Sequence, residues 1–315
     1  MTKNSLLLKT DASYLNKLNG FINIDKPLNI TSMDVIREIR RATNEKKVGH
    51  AGTLDPRASG VLPVAFGAYT RLLQYILNED KTYEAQIQLG VKTNTFDSEG
   101  VVVESLDSSN IDTNKIKQIL PEFIGTYNQT PPIYSAKKIN GKRLYEYARR
   151  KMDVEINSSL VTVNEIKIID YHKSILSLSI ECGKGFYVRS LANDLGLKLG
   201  CGAHLKKLRR TKSGSFDIDQ SIPLHNAIES IRSGRIDEII YPLEQCLPHI
   251  KKIILTERMA SDIKHGKSIS VPGIHNSVFE NQTIIRAHND TQDLIALVTF
   301  EEETQEFKPY KVFLN

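Results

Sequence analysis

Apolar and polar residues along the chain follow two periods, and the places where one gives way to the other mark its elements. From Tyr83 to Leu89 the residues Tyr83, Ala85, Ile87 and Leu89 alternate with Glu84, Gln86 and Gln88, the pattern of a strand with one covered face. Tyr83 belongs to that face. Leu176, Leu178, Ile180 and Cys182 repeat the alternation up to Gly183-Lys184-Gly185, and Val188, Leu191, Leu195 and Leu199 then recur at helical spacing. The spacing predicts a helix with Arg189 in its first turn, where a cation opposes the helix dipole and calls for an anionic partner. Nearer the start, Phe21-Ile22-Asn23-Ile24-Asp25 reads as a short strand, and Thr31-Ser32 caps a helix whose apolar face is Val35, Ile36 and Ile39. Beyond about Gln245 the texture changes to short apolar runs at 253–255, 283–285, 294–300 and 311–314, separated by Gly, Pro, Asn and acidic turns. This predicts a main body over 1–245 and a small all-β appendage over 246–315.

Composition narrows the class. The chain has 315 residues, 40% of them apolar and 25% charged, ordinary values for a folded globular protein. The leading apolar run, Leu6 to Leu8, is too short for a signal peptide, and no window approaches a membrane span, so a cytoplasmic protein is expected. Three widely spaced cysteines predict reduced thiols rather than a disulfide framework. The net charge of +5 is concentrated: seven Lys/Arg lie between Ser135 and Lys151 against the single acid Glu146, and five lie between His204 and Lys212 against none. Such clusters on an otherwise acidic chain suit a polyanion, and nucleic acid is the commonest one.

Candidate chemistry centres on the stretch from His50 to Arg71. It presents one carboxylate, Asp55, among Gly49, Gly52, Gly60, Gly67 and Pro56. Glycines there permit positive φ and close approach to the backbone, and the proline biases Asp55 away from the helical basin. Nucleotide-binding glycine loops of the Walker and dinucleotide types are absent. Cys201 and His204 have the spacing of zinc ligands without a second pair, so no metal is expected. A glycosidase would need a second carboxylate; Asp97 and Asp25 could approach Asp55 only through the fold.

These residues resemble the bacterial tRNA pseudouridine synthases of the TruB type. The resemblance rests on six ordered motifs: Asp25-Lys26-Pro27 with Thr31-Ser32; Gly49 through Pro56; Lys81-Thr82-Tyr83 with Leu89-Gly90; Gln129 through Pro132 with Tyr134-Ser135-Ala136; Gly185 through Leu191; and Leu208-Arg209-Arg210-Thr211. It implies an α+β pseudouridine-synthase fold, with a mixed, mainly antiparallel central sheet flanked by helices and a small β-rich, PUA-like RNA-binding domain at the end. It implies an isomerase, an intramolecular transferase, that flips the T-loop uridine 55 of tRNA out of its stack and exchanges its glycosidic C–N bond for a C–C bond. Asp55, Tyr83 and Arg189 would be catalytic, with His50, Tyr83, Tyr187 and Leu208 on the substrate. Tyr83 would be the ring against the base and a candidate proton acceptor. The basic runs supply Lys137, Lys138, Arg143, Arg209 and Arg210 as candidates for RNA phosphates. Neither cofactor nor metal nor obligate protein partner is implied. Two alternatives share the motifs: a guide-RNA-dependent relative and a non-catalytic RNA-binding or RNA-folding protein. The chain departs from the family pattern at Asn29, where glycine is usual, at Gly183 and at Tyr69. Asn tolerates positive φ, so the turn at Asn29 is expected to survive, and Tyr69 is expected to alter packing behind the catalytic loop.

Overall fold

A computed structural model describes residues 18–313 except 136, 140, 151, 153 and 272–278, together with the backbone but not the side chains of 138, 143 and 145. Its main feature is one long twisted sheet. Along the main path the strands run in the order Ile222–Pro223, Gly20–Lys26, Ala58–Phe66, Ala203–Ser213, Lys81–Leu89, Ile175–Cys182, Ser159–His172 and Gly125–Gln129. Two of the seven pairings on this path are parallel, Gly20–Lys26 with Ile222–Pro223 and Ala58–Phe66 with Ala203–Ser213; the other five are antiparallel. The sheet is thus mixed and mainly antiparallel, as expected.

The predicted alternations are real strands. Ala85, Ile87 and Leu89 are buried on the same face as Leu176, Leu178 and Ile180, and the helix Val188–Leu199 packs Val188, Leu191, Leu195 and Leu199 against them. On the other half of the sheet the helix Ser32–Thr43 begins with a reciprocal capping box between Thr31 and Asp34, and it buries Val35, Ile36 and Ile39. The strand Gly20–Lys26 is covered on both faces, so that Asn23 and Lys26 are buried along with Phe21, Ile22 and Ile24.

The C-terminal unit is a four-stranded sheet of Lys252–Ile254, Ile284–His288, Leu294–Glu301 and Glu306–Val312. It is not all-β. The helix Glu257–Lys264, capped by Thr256, buries Ala260 and Ile263 against that sheet. The acidic run Glu301-Glu302-Glu303 falls at the turn between the last two strands, as expected. Residue 314, the end of the last expected run, lies outside the described residues. One apolar cluster joins the two units: Leu294, Leu297 and Phe313 pack with Phe21, Ala51, Leu72, Leu73 and Phe216. Tyr69 sits in this seam, 5.9 Å from the Phe21 ring and edge-on to Phe313 at 6.2 Å. Among the described residues no helix is long and apolar enough to cross a membrane.

Candidate active site

The loop carrying Asp55 connects the strands Val48–His50 and Ala58–Phe66, and it is fixed from every side. Its apolar residues Ala51 and Leu54 are buried. The Leu54 N–H donates to Ser32 Oγ, which in turn donates to the Leu54 carbonyl, tying the loop to the first turn of a helix. The Asn29 N–H donates to Pro56 O at 2.8 Å, and the Ala58 N–H to Asp55 O at 3.0 Å. Lys26 is fully buried beneath, with Nζ bonded to the carbonyls of Pro27 and Ile30. Burial lowers its pKa to about 8, and the nearby Arg210 charge adds to the effect. Gly52 (φ +89°) and Gly60 (φ +104°) have the positive φ expected of them. At Gly60 a Cβ would lie 2.1 Å from Arg210 O, so no other residue fits. Gly49 is different. It has no positive φ and sits in a strand, where a Cβ would meet only the movable tip of Leu73, Cδ1, at 2.9 Å.

Arg189 is the second residue of its helix, as the spacing predicts, and its anionic partners are in place. Its Nη2 lies 3.0 Å from Asp55 Oδ2 and its Nη1 lies 3.3 Å from Asp97 Oδ2. Nη2 also donates to Tyr134 O. The Arg189 side chain is 6% exposed, so a guanidinium at the positive end of a helix is compensated by carboxylates rather than by water. Asp97 is the second acid that spacing along the chain did not supply. It follows Phe96, whose φ of 63° is a costly conformation for a bulky residue. That turn is held by Leu205 N–H to Phe96 O, Thr93 Oγ1 to Asp97 O, and Thr95 Oγ1 to Asp97 Oδ1. Asp25 is not among the residues lining the cleft; it forms a two-pronged pair with Arg209 at 2.8 and 3.2 Å.

Loss of solvent pushes the Asp55 pKa above the usual carboxylate range. Arg189 pulls it back, while Asp97 and Glu99 push it up again. One edge of the carboxylate opens on the cleft and leaves the side chain 43% exposed, so water there limits the upward push. The cleft has a volume of about 780 Å³, and its lining includes His50, Asp55, Asp97, Arg189 and Leu208. His50 is half-buried, and its Nδ1 is shielded from solvent without a hydrogen-bond partner. Burial, and then Arg210, lower its pKa to about 4, so the ring is neutral at physiological pH.

Tyr83 and Tyr187 are not among the residues lining the open cleft. Tyr83 is half-buried against the main core, opposite Arg210 on the neighbouring strand. Burial raises its phenol pKa and Arg210 opposes the rise, which keeps the hydroxyl protonated at rest. Tyr187 caps the Arg189 helix, with its N–H donating to Gln129 Oε1 and its carbonyl accepting from Gln129 Nε2. Both tyrosines feel the Asp55 charge.

The phosphate candidates divide. Arg210 must be withdrawn: it is 1% exposed, with Nε donating to Val61 O at 2.7 Å and Nη2 to Gly52 O at 3.1 Å. A guanidinium spent on two buried carbonyls holds the Asp55 loop from behind and has no face for RNA. Arg209 is exposed at its tip but paired with Asp25. Lys137 bonds Asn157 O and Ser159 Oγ. Lys138 and Arg143 form the rungs of a small hairpin, and their side chains lie outside the described residues. Sequence reasoning missed Arg57, Lys206 and Lys207, which line the cleft. For the two lysines the signal was available, because they stand in the second basic cluster beside Leu208.

Comparison with known proteins identifies the family. The model of the TruB family pseudouridylate synthase N-terminal domain matches residues 40–188, and that of the tRNA pseudouridylate synthase B C-terminal domain matches 189–248. The chain is 37% identical to the tRNA pseudouridine synthase B of Dehalococcoides mccartyi (strain CBDB1), over 95% of this chain and 97% of that protein. With the protein of the same name from Synechocystis sp. (strain PCC 6803) it shares 40% identity, over 94% and 99%. Among solved structures it resembles a chain of an H/ACA RNP bound to a substrate RNA containing 2'-deoxyuridine, with a TM-score of 0.71 and 26% identity over 94% of this chain and 85% of that one. A Cbf5-Nop10-Gar1 complex gives a TM-score of 0.69 and 28% identity, over 94% and 84%. Family models covering both parts of the body, relatives matched along nearly their whole length, and an aspartate held by a buried arginine lead to one assignment: the chain belongs to the TruB family of pseudouridylate synthases.

Proposed function

We propose that this enzyme converts uridine 55 in the T-loop of tRNA to pseudouridine, acting in the cytoplasm without cofactor or obligate protein partner. The observation that carries the reading is the Asp55 carboxylate held 3.0 Å from Arg189 in a cleft large enough for an extruded nucleotide. Breaking the C1′–N1 bond leaves the sugar electron-deficient, and an ionised carboxylate can stabilise or capture that centre. Arg189 favours the ionised form against burial. The detached uracil turns over, the C1′–C5 bond forms, the C5 proton leaves, and N1 ends protonated, so atoms and electrons balance without a redox partner. Tyr83 is proposed as the ring against the base, with its raised phenol pKa making it a proton donor or relay at rest rather than a ready base. His50, Tyr187 and Leu208 are proposed to contact the flipped nucleotide and its neighbours. Lys137, Lys138, Arg143 and Arg209 remain proposed phosphate contacts, and Arg209 must first leave Asp25. Residues 246–315 are proposed as a PUA-like RNA-binding domain, with 1–245 as the catalytic one.

The test is release of tritium from C5-labelled uridine in a bare tRNA transcript. The wild type is expected to release one label per tRNA with no guide RNA or second protein added, and Asp55→Asn to release none above background. Equal release by the Asn variant would overturn the mechanism. The likeness to H/ACA RNP chains favours a second reading, a guide-dependent enzyme; the higher identity to the tRNA pseudouridine synthase B relatives weighs against it. An enzyme silent on bare tRNA but active with a guide would establish that reading instead. A protein that binds tRNA and releases no label under either condition would be the RNA-binding or RNA-folding alternative.

A further inference from the structure

Arg57 stands two residues after Asp55 and lines the same cleft, where its side chain is 60% exposed. Two groups orient it. Nη1 donates to Asn29 Oδ1 at 2.9 Å, and Nε lies 3.2 Å from Glu99 Oε1. Asn29 is itself fixed, with φ at 67° and its N–H on Pro56 O, so the residue that departs from the family pattern aims the guanidinium along the cleft mouth. A glycine there would have no amide oxygen to offer. Glu99 comes from the opposite wall. Its N–H donates to Asp97 Oδ1, and Asp97 is clamped by Arg189. The Arg57–Glu99 contact therefore bridges the mouth between two walls that are each anchored inside.

This bridge is weak by construction. Both partners are well exposed, Glu99 at 46%, and such ion pairs are worth little against water. An RNA phosphodiester offers the same two-oxygen geometry to a guanidinium already aimed by Asn29, and arginine–phosphate pairs are among the stronger charged hydrogen bonds. We infer that Arg57 is a phosphate-binding residue at the cleft mouth, masked by Glu99 until the RNA backbone flanking the extruded uridine displaces the glutamate. This rests on the tRNA-modifying activity proposed above.

The competing role is a structural strap, and the two roles differ in sign. If Glu99 masks a phosphate site, Arg57→Gln weakens binding and Glu99→Gln strengthens it. If the pair is a strap holding the walls together, both substitutions harm binding alike. The experiment measures tRNA dissociation constants over a salt series, together with single-turnover tritium release, for Arg57→Gln, Glu99→Gln and the double variant. Arg57→Gln is expected to bind about tenfold more weakly, with the slope of log K against log salt shallower by about 0.7. Its single-turnover rate at saturating tRNA should stay within about twofold of wild type, as for a group that binds without entering the chemistry. Glu99→Gln is expected to bind about two- to threefold more tightly, since exposed pairs cost little to break. In the double variant that gain should vanish. Weaker binding by both single variants, an unchanged salt slope for Arg57→Gln, or a loss confined to its single-turnover rate would each overturn the assignment. A wild type inactive on tRNA would instead overturn the proposed function, so the two failures are separable.

Discussion

Arg189 and Arg210 are both buried guanidiniums bonded to the same Asp55 loop, and they are satisfied in opposite ways. Arg189 meets two carboxylates, Asp55 and Asp97, at the cleft wall. Arg210 meets two backbone carbonyls, Val61 O and Gly52 O, behind the loop. A guanidinium on carboxylates sets the charge state of groups that face substrate. On carbonyls it does different work, anchoring main chain, and among the described residues Arg210 forms no ion pair with a carboxylate. The residues around Arg210 register that charge: Lys26, Lys81 and His50 all have lowered pKa values, led by burial and assisted by Arg210. The difference separates a guanidinium that faces the cleft through its carboxylate partners from one that braces the main chain behind it.

The contrast can be broken from either end. Arg189→Ala should cut single-turnover tritium release about a thousandfold, the scale seen when a charge-stabilising donor is removed, with tRNA affinity held within about threefold. A parallel collapse of affinity would move Arg189 to the phosphate contacts. Arg210→Met should instead act on folding. Leaving two buried carbonyls without donors should cost about 3 kcal/mol in urea unfolding, and a loss under about 1 kcal/mol would deny it the anchoring role.

The smallest effect concerns His50. Its folded pKa of about 4 lies below the ordinary 6.5, so as pH falls through 6.5 the unfolded chain takes up a proton that the folded chain refuses. The penalty is absent above pH 6.5, grows as pH falls towards 4 and then levels off. An NMR titration of the imidazole should show a midpoint near 4 in the wild type, and a higher one in any Arg210→Met protein that still folds. A wild-type midpoint at 6.5 would remove the burial argument.

Much of this contrast was legible in the sequence, and the failures have physical causes. Arg189 could be read because helical periodicity places it in a first turn, and an unfavourable dipole contact asks for an anion. Arg209 and Arg210 could not be told apart. In a regular strand alternate residues face opposite sides, but the strand Ala203–Ser213 breaks register between Leu205 and Lys207 and again between Arg210 and Lys212 against its neighbour. Each irregularity shifts which residue points inward, so the basic run does not reveal which arginine is buried. Asp97 was legible as a candidate and no more, because its approach to Arg189 depends on a strained turn at Phe96 and a bridge to Leu205. The helix Glu257–Lys264 went unread because eight residues carry only two buried apolar positions, too few to set a period.

The seam between the two units bears on how the enzyme comes apart. Phe313, the residue directly after the last strand, lies edge-on to Tyr69 and under Arg71, whose Nη1 also donates to Val312 O. Tyr69 and Arg71 in turn follow directly from the strand that leaves the Asp55 loop. The same apolar cluster runs from Leu297 through Phe313 to Ala51 within the loop itself. Opening the tail would therefore wet the underside of the Asp55 loop. A shortened chain ending before the last strand would be a damaged core rather than a smaller enzyme.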